Sequence, residues 1–325
     1  MKKIGKVHIA SAAFAALALI AATGAGAQNW PTKPVRMIVP FGAGGGTDIQ
    51  GRLLAKKFYE SMGQTFIVDN RPGAAGLIGA ELTAKSPPDG STLLFTTASL
   101  SVNITLYGKR LTFDPFKDLA PVSWISSVPL VLVAHPSVPA RNVKELIAIA
   151  RKSGKMNAGS NGSGTTSHLS VEMLKQFAGV NATHIPYKGG GPAIAALVSG
   201  EVDFEFATAL AAQPFLKSGK VKAFAVTTAR KSSAFPDLPT MASLYPEFVS
   251  DNWYAMFFPA GTPKEIVAKM NAEILKALKA EDVRSFMARE GADPVGSTPE
   301  ELTAYFKKEV AKYAKVIKAG NITVE

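Results

Sequence analysis

The chain contains no cysteine. That excludes a disulfide scaffold, a thiol nucleophile, a zinc finger and an iron–sulfur cluster. Histidine is scarce too, with four in 325 residues. They are scattered, which argues against a His-rich metal site. Sharp catalytic motifs are missing. The first Gly-rich loop lacks the last glycine of a dinucleotide fingerprint, and no Gly-Lys-Ser/Thr closes a phosphate loop. No Gly-x-Ser-x-Gly nucleophile elbow occurs. No His–carboxylate–Ser spacing is compelling, although spacing alone leaves a spatial triad open. Beyond the N-terminal segment, no stretch is long and apolar enough to span a bilayer.

What is present is a globular composition: 47% hydrophobic and 19% charged residues. The length suggests two domains with an ample core. Lys2, Lys3 and Lys6 precede an Ala/Leu/Ile-rich run from Ile9 to Ala22, and Ala25-Gly26-Ala27 follows. This reads as a secretory signal peptide over 1–27, cleaved after Ala27. A transmembrane anchor is the weaker reading, because the uninterrupted run falls short of about 20 residues. Removing the three lysines lowers the net charge of +11 but leaves the chain basic. The bases alternate with acids, as in Glu281-Asp282-Val283-Arg284 and Lys307-Lys308-Glu309. That pattern describes solvated helix faces rather than a nucleic-acid surface, while a mild positive field favours small anions.

Apolar runs alternate with helical patterns. Strands are expected at Val35–Val39, Phe66–Val68, Leu93–Thr96, Leu130–Ala134, Met156–Ala158, Thr183–Pro186, Asp203–Ala207, Ala223–Thr227 and Tyr254–Phe258. Thr47-Asp48-Ile49-Gln50 fits a capping box at the first helix. Thr262-Pro263-Lys264-Glu265 and Thr298-Pro299-Glu300-Glu301 fit two capped helices at the end of the chain. Strand–helix alternation implies an α/β fold with parallel-rich sheets. Ligands in such sheets bind beyond the strands' carboxyl ends, at loops leading into helices.

Two loops suit that place: Pro40–Asp48, running Pro-Phe-Gly-Ala-Gly-Gly-Gly-Thr-Asp, and Gly159–Ser167, running Gly-Ser-Asn-Gly-Ser-Gly-Thr-Thr-Ser. At an offset of 119, Thr47, Lys56 and Phe58 match Thr166, Lys175 and Phe177. Free N–H groups at a helix start, close glycine backbone and hydroxyl donors can hold an anion. They can equally do no more than cap two helices. Asp48 either stabilises the helix dipole or meets a ligand. His168 is either a capping or surface residue or a ligand contact. His135 and His184 read as structural.

The run from Trp30 to Asp48 resembles the opening of the Bug family, the TctC-like extracytoplasmic solute receptors of tripartite tricarboxylate transporters. The resemblance continues through Val68–Gly76, Gly162–Leu169, His184–Ala193, Gly200–Phe204 and Phe257–Pro263. It therefore covers essentially the whole mature chain in order. It implies a type II-like periplasmic binding protein with two α/β lobes, each a mainly parallel sheet flanked by helices, joined by two crossing strands. Leu130–Ala134 and Trp253–Phe258 are expected to cross, giving one lobe of 28–125 plus 251–325 and another of 126–250. The resemblance further implies a monomeric periplasmic protein without cofactor, metal or catalytic activity. It would capture a small carboxylate and deliver it to a two-subunit membrane permease.

The site residues that the resemblance carries over are Phe41, Gly42, Gly45, Gly46, Thr47 and Asp48 in the first loop, with Ala74 and Ser99 flanking it. In the second lobe they are Ser163, Gly164, Thr165, Thr166, Ser167 and His168, with Tyr187, Lys188, Gly189 and Asp203 nearby. Two other readings of the fold remain at this stage: a receptor that presents ligand to a signalling partner, and a periplasmic enzyme.

Overall fold

The structure, a computed structural model, describes residues 30–232 and 234–323. The expected signal peptide over 1–27 and its expected cleavage point lie outside the described residues.

The first sheet takes strands from both ends of the chain, in the order β11-β4-β10-β3-β1-β2. Its strands are β1 (Val35–Val39), β2 (Phe66–Asn70), β3 (Thr92–Thr97), β4 (Leu119–Val128), β10 (Asn252–Pro259) and the short β11 (Asp293–Pro294). The second sheet runs β7-β6-β8-β5-β9. It is built from β5 (Leu130–Ala134), β6 (Met156–Ser160), β7 (Ala182–Pro186), β8 (Phe204–Thr208) and β9 (Lys222–Val226). Each sheet is the spine of one lobe.

The sheets are mixed, with less parallel pairing than strand–helix alternation predicts. In the first, β1 pairs in parallel with β2 and β3, but β10 lies antiparallel between β3 and β4. In the second, β6 is parallel to β7 and β8, but β5 lies antiparallel between β8 and β9. The antiparallel members are the strands by which the chain arrives from the other lobe. Each enters from the opposite direction and inserts within a sheet instead of extending its edge.

Leu130–Ala134 is a strand as expected, but it pairs wholly within the second sheet and does not cross. Trp253–Phe258 likewise pairs wholly within the first sheet, and the chain passes between the lobes at Pro129, directly after β4, a first-sheet strand that the sequence pattern missed. Only Pro129 separates β4 from β5. Pro121 and a run of serines break the apolar signal of β4, whose burial pattern is only partly buried. The return passes from β9 to β10, with Thr227 and Ser250 hydrogen-bonded beside Leu130.

The helices follow the expected pattern with some corrections. Helix α1 (Gly46–Met62) begins at Gly45, which has no side-chain cap, so Thr47 and Gln50 form no capping box. Gln50 instead donates to Ser126 Oγ in β4. Thr262 likewise fails to cap the helix at Lys264–Ala277, because its hydroxyl donates to the Pro259 carbonyl. Thr298 does form the expected capping box with Glu301, at the head of the final helix, Pro299–Ala319. That helix straddles the molecule. Leu302 and Phe306 pack with the first sheet, whereas Tyr313, Val316 and Ile317 join the core of the second.

Candidate ligand site between the lobes

The two Gly-rich loops are built alike. Helix α1 follows β1, and helix Thr166–Ala178 follows β6. The flanking residues Gly45 and Thr165 have nearly equal dihedrals, φ −79°, ψ 165° and φ −89°, ψ 162°. One residue earlier, Gly44 and Gly164 both take left-handed φ, 79° and 77°. Four residues further on, Asp48 Oδ2 accepts from Gly44 N–H at 2.9 Å and His168 Nδ1 accepts from Gly164 N–H at 3.1 Å. The equivalence therefore runs at an offset of 120, one more than the matching letters suggested. The fold repeats a device, a side chain in the first helical turn fastening its own loop, and uses a carboxylate in one lobe and an imidazole in the other.

This decides what Asp48 does. It is 3% exposed, and its carboxylate also accepts from Arg52 Nε at 3.1 Å and Asn70 Nδ2 at 3.0 Å. Burial pushes its pKa up, but the hydrogen bonds from Arg52, Gly44 and Asn70 outweigh that and hold it below the usual carboxylate range. Asn70 Nδ2 also donates to the Phe41 carbonyl at 2.9 Å, pinning the loop's start. Asp48 is thus spent inside the protein and acts as a fastener. Of its partners, Arg52 carried no site motif in the sequence, and Asn70 lay in the Val68–Gly76 run without an expected role.

His168 is held in the same way. Its ring stacks on His184, with centroids 4.0 Å apart and planes 15° from parallel. Burial, helped by His184 and Lys175, pushes the His168 pKa down to about 3. Burial, then Lys175, takes His184 to about 4. Both rings are neutral at ordinary pH. With Nδ1 accepting from Gly164, the His168 proton sits on Nε2. His184 Nε2 lies 2.6 Å from Ser160 Oγ, which also accepts from Gly162 N–H.

The two helix starts converge on the beginning of β10. A side chain at Gly46 would meet Tyr254 Oη at 3.3 Å, and Thr166 Oγ1 lies 3.5 Å from Asn252 Oδ1. Asn252 and Tyr254 share one face of β10, two residues apart. Across the cleft, Gly164 lies against Asn103 and Ala75 of the first lobe. Asn103 belongs to helix Ser99–Tyr107. The Gly73–Gly76 segment has positive φ throughout, including Ala74 at 46° and Ala75 at 48°. Non-glycine residues there carry roughly 1–2 kcal/mol of strain each.

The remaining expected residues divide. Thr47 and Thr166 are buried in the first helical turns, where N–H groups have no partner four residues back. Ser163 is exposed on the loop. Thr165 Oγ1 donates to Gly162 O and accepts from His168 N–H. Gly42 and Gly45 are exposed, and Gly189 N–H is tied to Asn161 O. Ser99 is buried at its helix start. The hydroxyl of Ser167 points inward to Phe206 O, and that of Tyr187 is bound to Glu201. Lys188 is exposed. Asp203 sits at the far end of β8, where its carboxylate accepts from Asn157 N–H at the start of β6. What the cleft offers an anion is therefore mostly backbone N–H at two helix starts. Among the described residues, no cluster of three or more His, Cys, Asp or Glu is placed to hold a metal ion.

The relatives identify the family. The profile of the tripartite tricarboxylate transporter family receptors matches residues 51–322. The chain belongs to that family. It is 38% identical over 296 residues to protein BugT of Bordetella pertussis, covering 90% of each chain. The periplasmic binding protein BugD superposes with a TM-score of 0.84 at 34% identity, over 91% of this chain and 100% of that one. Two further similar structures hold ligands. Rpa4515 of R. palustris, solved with adipate, gives a TM-score of 0.85 at 35% identity, over 90% and 99% of the two chains. MatC of Rhodopseudomonas palustris, solved with malate, gives 0.81 at 32% identity, over 89% and 100%. The family's two-lobed binding-protein architecture is thus the architecture of this chain. No helix among the described residues is long and apolar enough to cross a membrane.

Proposed function

We propose that this chain is a periplasmic solute receptor that closes its two lobes on a small carboxylate and presents it to the membrane permease of a tripartite transporter. The observation that carries the reading is the pair of matched loops, each aiming a helix start at the head of β10 from its own lobe. Such starts bear partial positive charge and unpaired donors, and suit a carboxylate without a charged side chain. Relatives solved with adipate and malate favour a carboxylate over other anions. The committed carboxylate of Asp48 and the neutral rings of His168 and His184 favour binding over catalysis. On this reading the lobes divide as 28–125 plus 251–325 and 126–250, the leader is removed after Ala27, and the receptor works as a monomer without a cofactor.

A thermal-shift screen of the mature protein against mono-, di- and tricarboxylates and aromatic acids tests this. Ligand at 100 times its Kd should add about 2.7 kcal/mol of apparent stability. A screen in which no carboxylate raises Tm, while the protein remains cooperatively folded, sinks the proposal.

A further inference from the structure

Asn103 is wholly buried, at 0% exposure, where three segments of the cleft meet. Its amide orientation is fixed by the protein. Nδ2 donates to the Ala75 carbonyl at 3.1 Å, on the strained left-handed segment of the first lobe. Oδ1 must then face the other way, toward Gly164 of the opposite loop. A Cβ built on Gly164 would run into that oxygen. The backbone N–H of Gly164 is already taken, because it is given to His168 Nδ1. Asn103 Oδ1 has no hydrogen-bond partner among the described residues. A second amide oxygen, Asn161 Oδ1 in the second Gly-rich loop, is also enclosed and unpartnered.

A buried acceptor without a donor is costly, because it has lost its water and gained nothing in return. A carboxylate cannot relieve it, because an ionised carboxylate only accepts. The cleft thus carries two chemistries: N–H donors at the helix starts for the charged group, and an amide oxygen that needs a donor. We propose that Asn103 is a specificity-determining residue, accepting a hydrogen bond from a hydroxyl or ammonium group on the ligand. The preferred ligands are then carboxylates bearing such a donor, rather than plain diacids. This rests on the carboxylate-receptor reading above and narrows it. The two relatives with bound ligand bracket the choice, since malate carries a hydroxyl and adipate does not.

Calorimetry on the mature protein with matched probes decides it. Succinate, malate and aspartate form one series, and glutarate, 2-hydroxyglutarate and glutamate the other, with adipate beside them. The expected result is that a hydroxy or amino member binds at least about tenfold tighter than its plain partner. A preference for the hydroxy acid identifies a hydroxyl donor, a preference for the amino acid an ammonium, and either supports the proposal. In Asn103→Leu and Asn103→Ala that ratio should fall toward one. A disturbed Ala75 loop, by contrast, would weaken both members of a pair alike and leave the ratio unchanged. If neither variant folds, the wild-type ratios still decide. Plain diacids binding as well as their donor-bearing partners, or ratios unchanged in folded variants, overturn the role of Asn103 while leaving the carboxylate reading intact. No heat from any of these diacids overturns the proposal for Asn103, and the broader carboxylate screen above then decides the receptor reading on its own.

Discussion

At the residue scale, the glycines of the two loops are not interchangeable, although their letters look alike. Gly44 and Gly164 share the left-handed backbone, but the space around Gly44 is empty within 4 Å, whereas Gly164 is pressed against Asn103 and Ala75 of the other lobe. Gly44→Ala should cost only the strain of a left-handed alanine, about 1 kcal/mol of stability, and weaken carboxylate binding less than tenfold. Gly164→Ala adds a collision that exists only when the lobes meet. It should lower affinity by a hundredfold or more while shifting Tm no further than Gly44→Ala does. Lys188→Ala serves as the control: the residue is exposed and should change affinity less than fivefold. Calorimetry beside thermal melts reads all three. Loss of binding in Lys188→Ala with Gly164→Ala intact would replace the backbone cradle by a point-charge clamp. The sequence pointed to these loops, because glycine and hydroxyl residues before an apolar helix are visible in letters. It did not reveal which glycine faces the other lobe, or that Asp48 is consumed by Arg52 and Asn70, because those partners come from tertiary packing.

At the scale of single elements, β8 holds an unusual group. Glu205 is 0% exposed between Val133 of β5 and Gly159 of β6, and neither carboxylate oxygen has a partner among the described residues. Burial pushes its pKa up to about 8. Its unfolded value is near 4.5. Between those limits the folded chain binds the proton and the unfolded chain does not, so stability falls as pH rises through that interval. Glu205→Gln removes the titration and keeps the shape. It should leave Tm nearly unchanged at pH 4.5 and raise it by about 5 °C or more at pH 8.5. Equal melts of the two proteins at pH 8.5 would mean that Glu205 is ionised and stabilised in the fold. Elements with unbroken apolar runs, such as β5 and the Trp253–Phe258 stretch of β10, were legible in the letters. β4 was not, because serines and a proline in its partly buried strand mask the pattern, and Ser99–Tyr107 was not, because a helix buried nearly all round shows no polar face.

At the scale of the whole molecule, both connections between the lobes pass one polar cluster. Ser127 near the end of β4 donates to Asp251 Oδ2 at 3.2 Å, just before β10 begins. Asp293 of β11 pairs with Ser127 from the other side. From the final helix, Glu309 accepts from Trp253 Nε1 and from Lys312, next to Tyr313. Desolvation pushes Asp251 up to about 6, against the pull of Lys312 and the Ser127 hydroxyl, with Glu309 and Asp293 adding to the rise. Asp251 Oδ1 is enclosed without a partner. A carboxylate enclosed beside both connections would change its hydration if the lobes shifted there. The folded chain again holds a proton that the unfolded chain releases, here between about pH 4 and 6, so stability declines as pH rises across that range. If opening hydrates Asp251, ionisation favours the open form and protonation the closed one. Small-angle scattering with a saturating carboxylate should show a smaller radius of gyration than without it, as hinge closure requires. Without ligand, the wild-type radius should grow from pH 5 to pH 7.5, while Asp251→Asn should hold the same radius at both. A radius that does not respond to ligand would mean a cleft already closed. A radius that changes with pH equally in wild type and Asp251→Asn would move the titrating group away from the crossing.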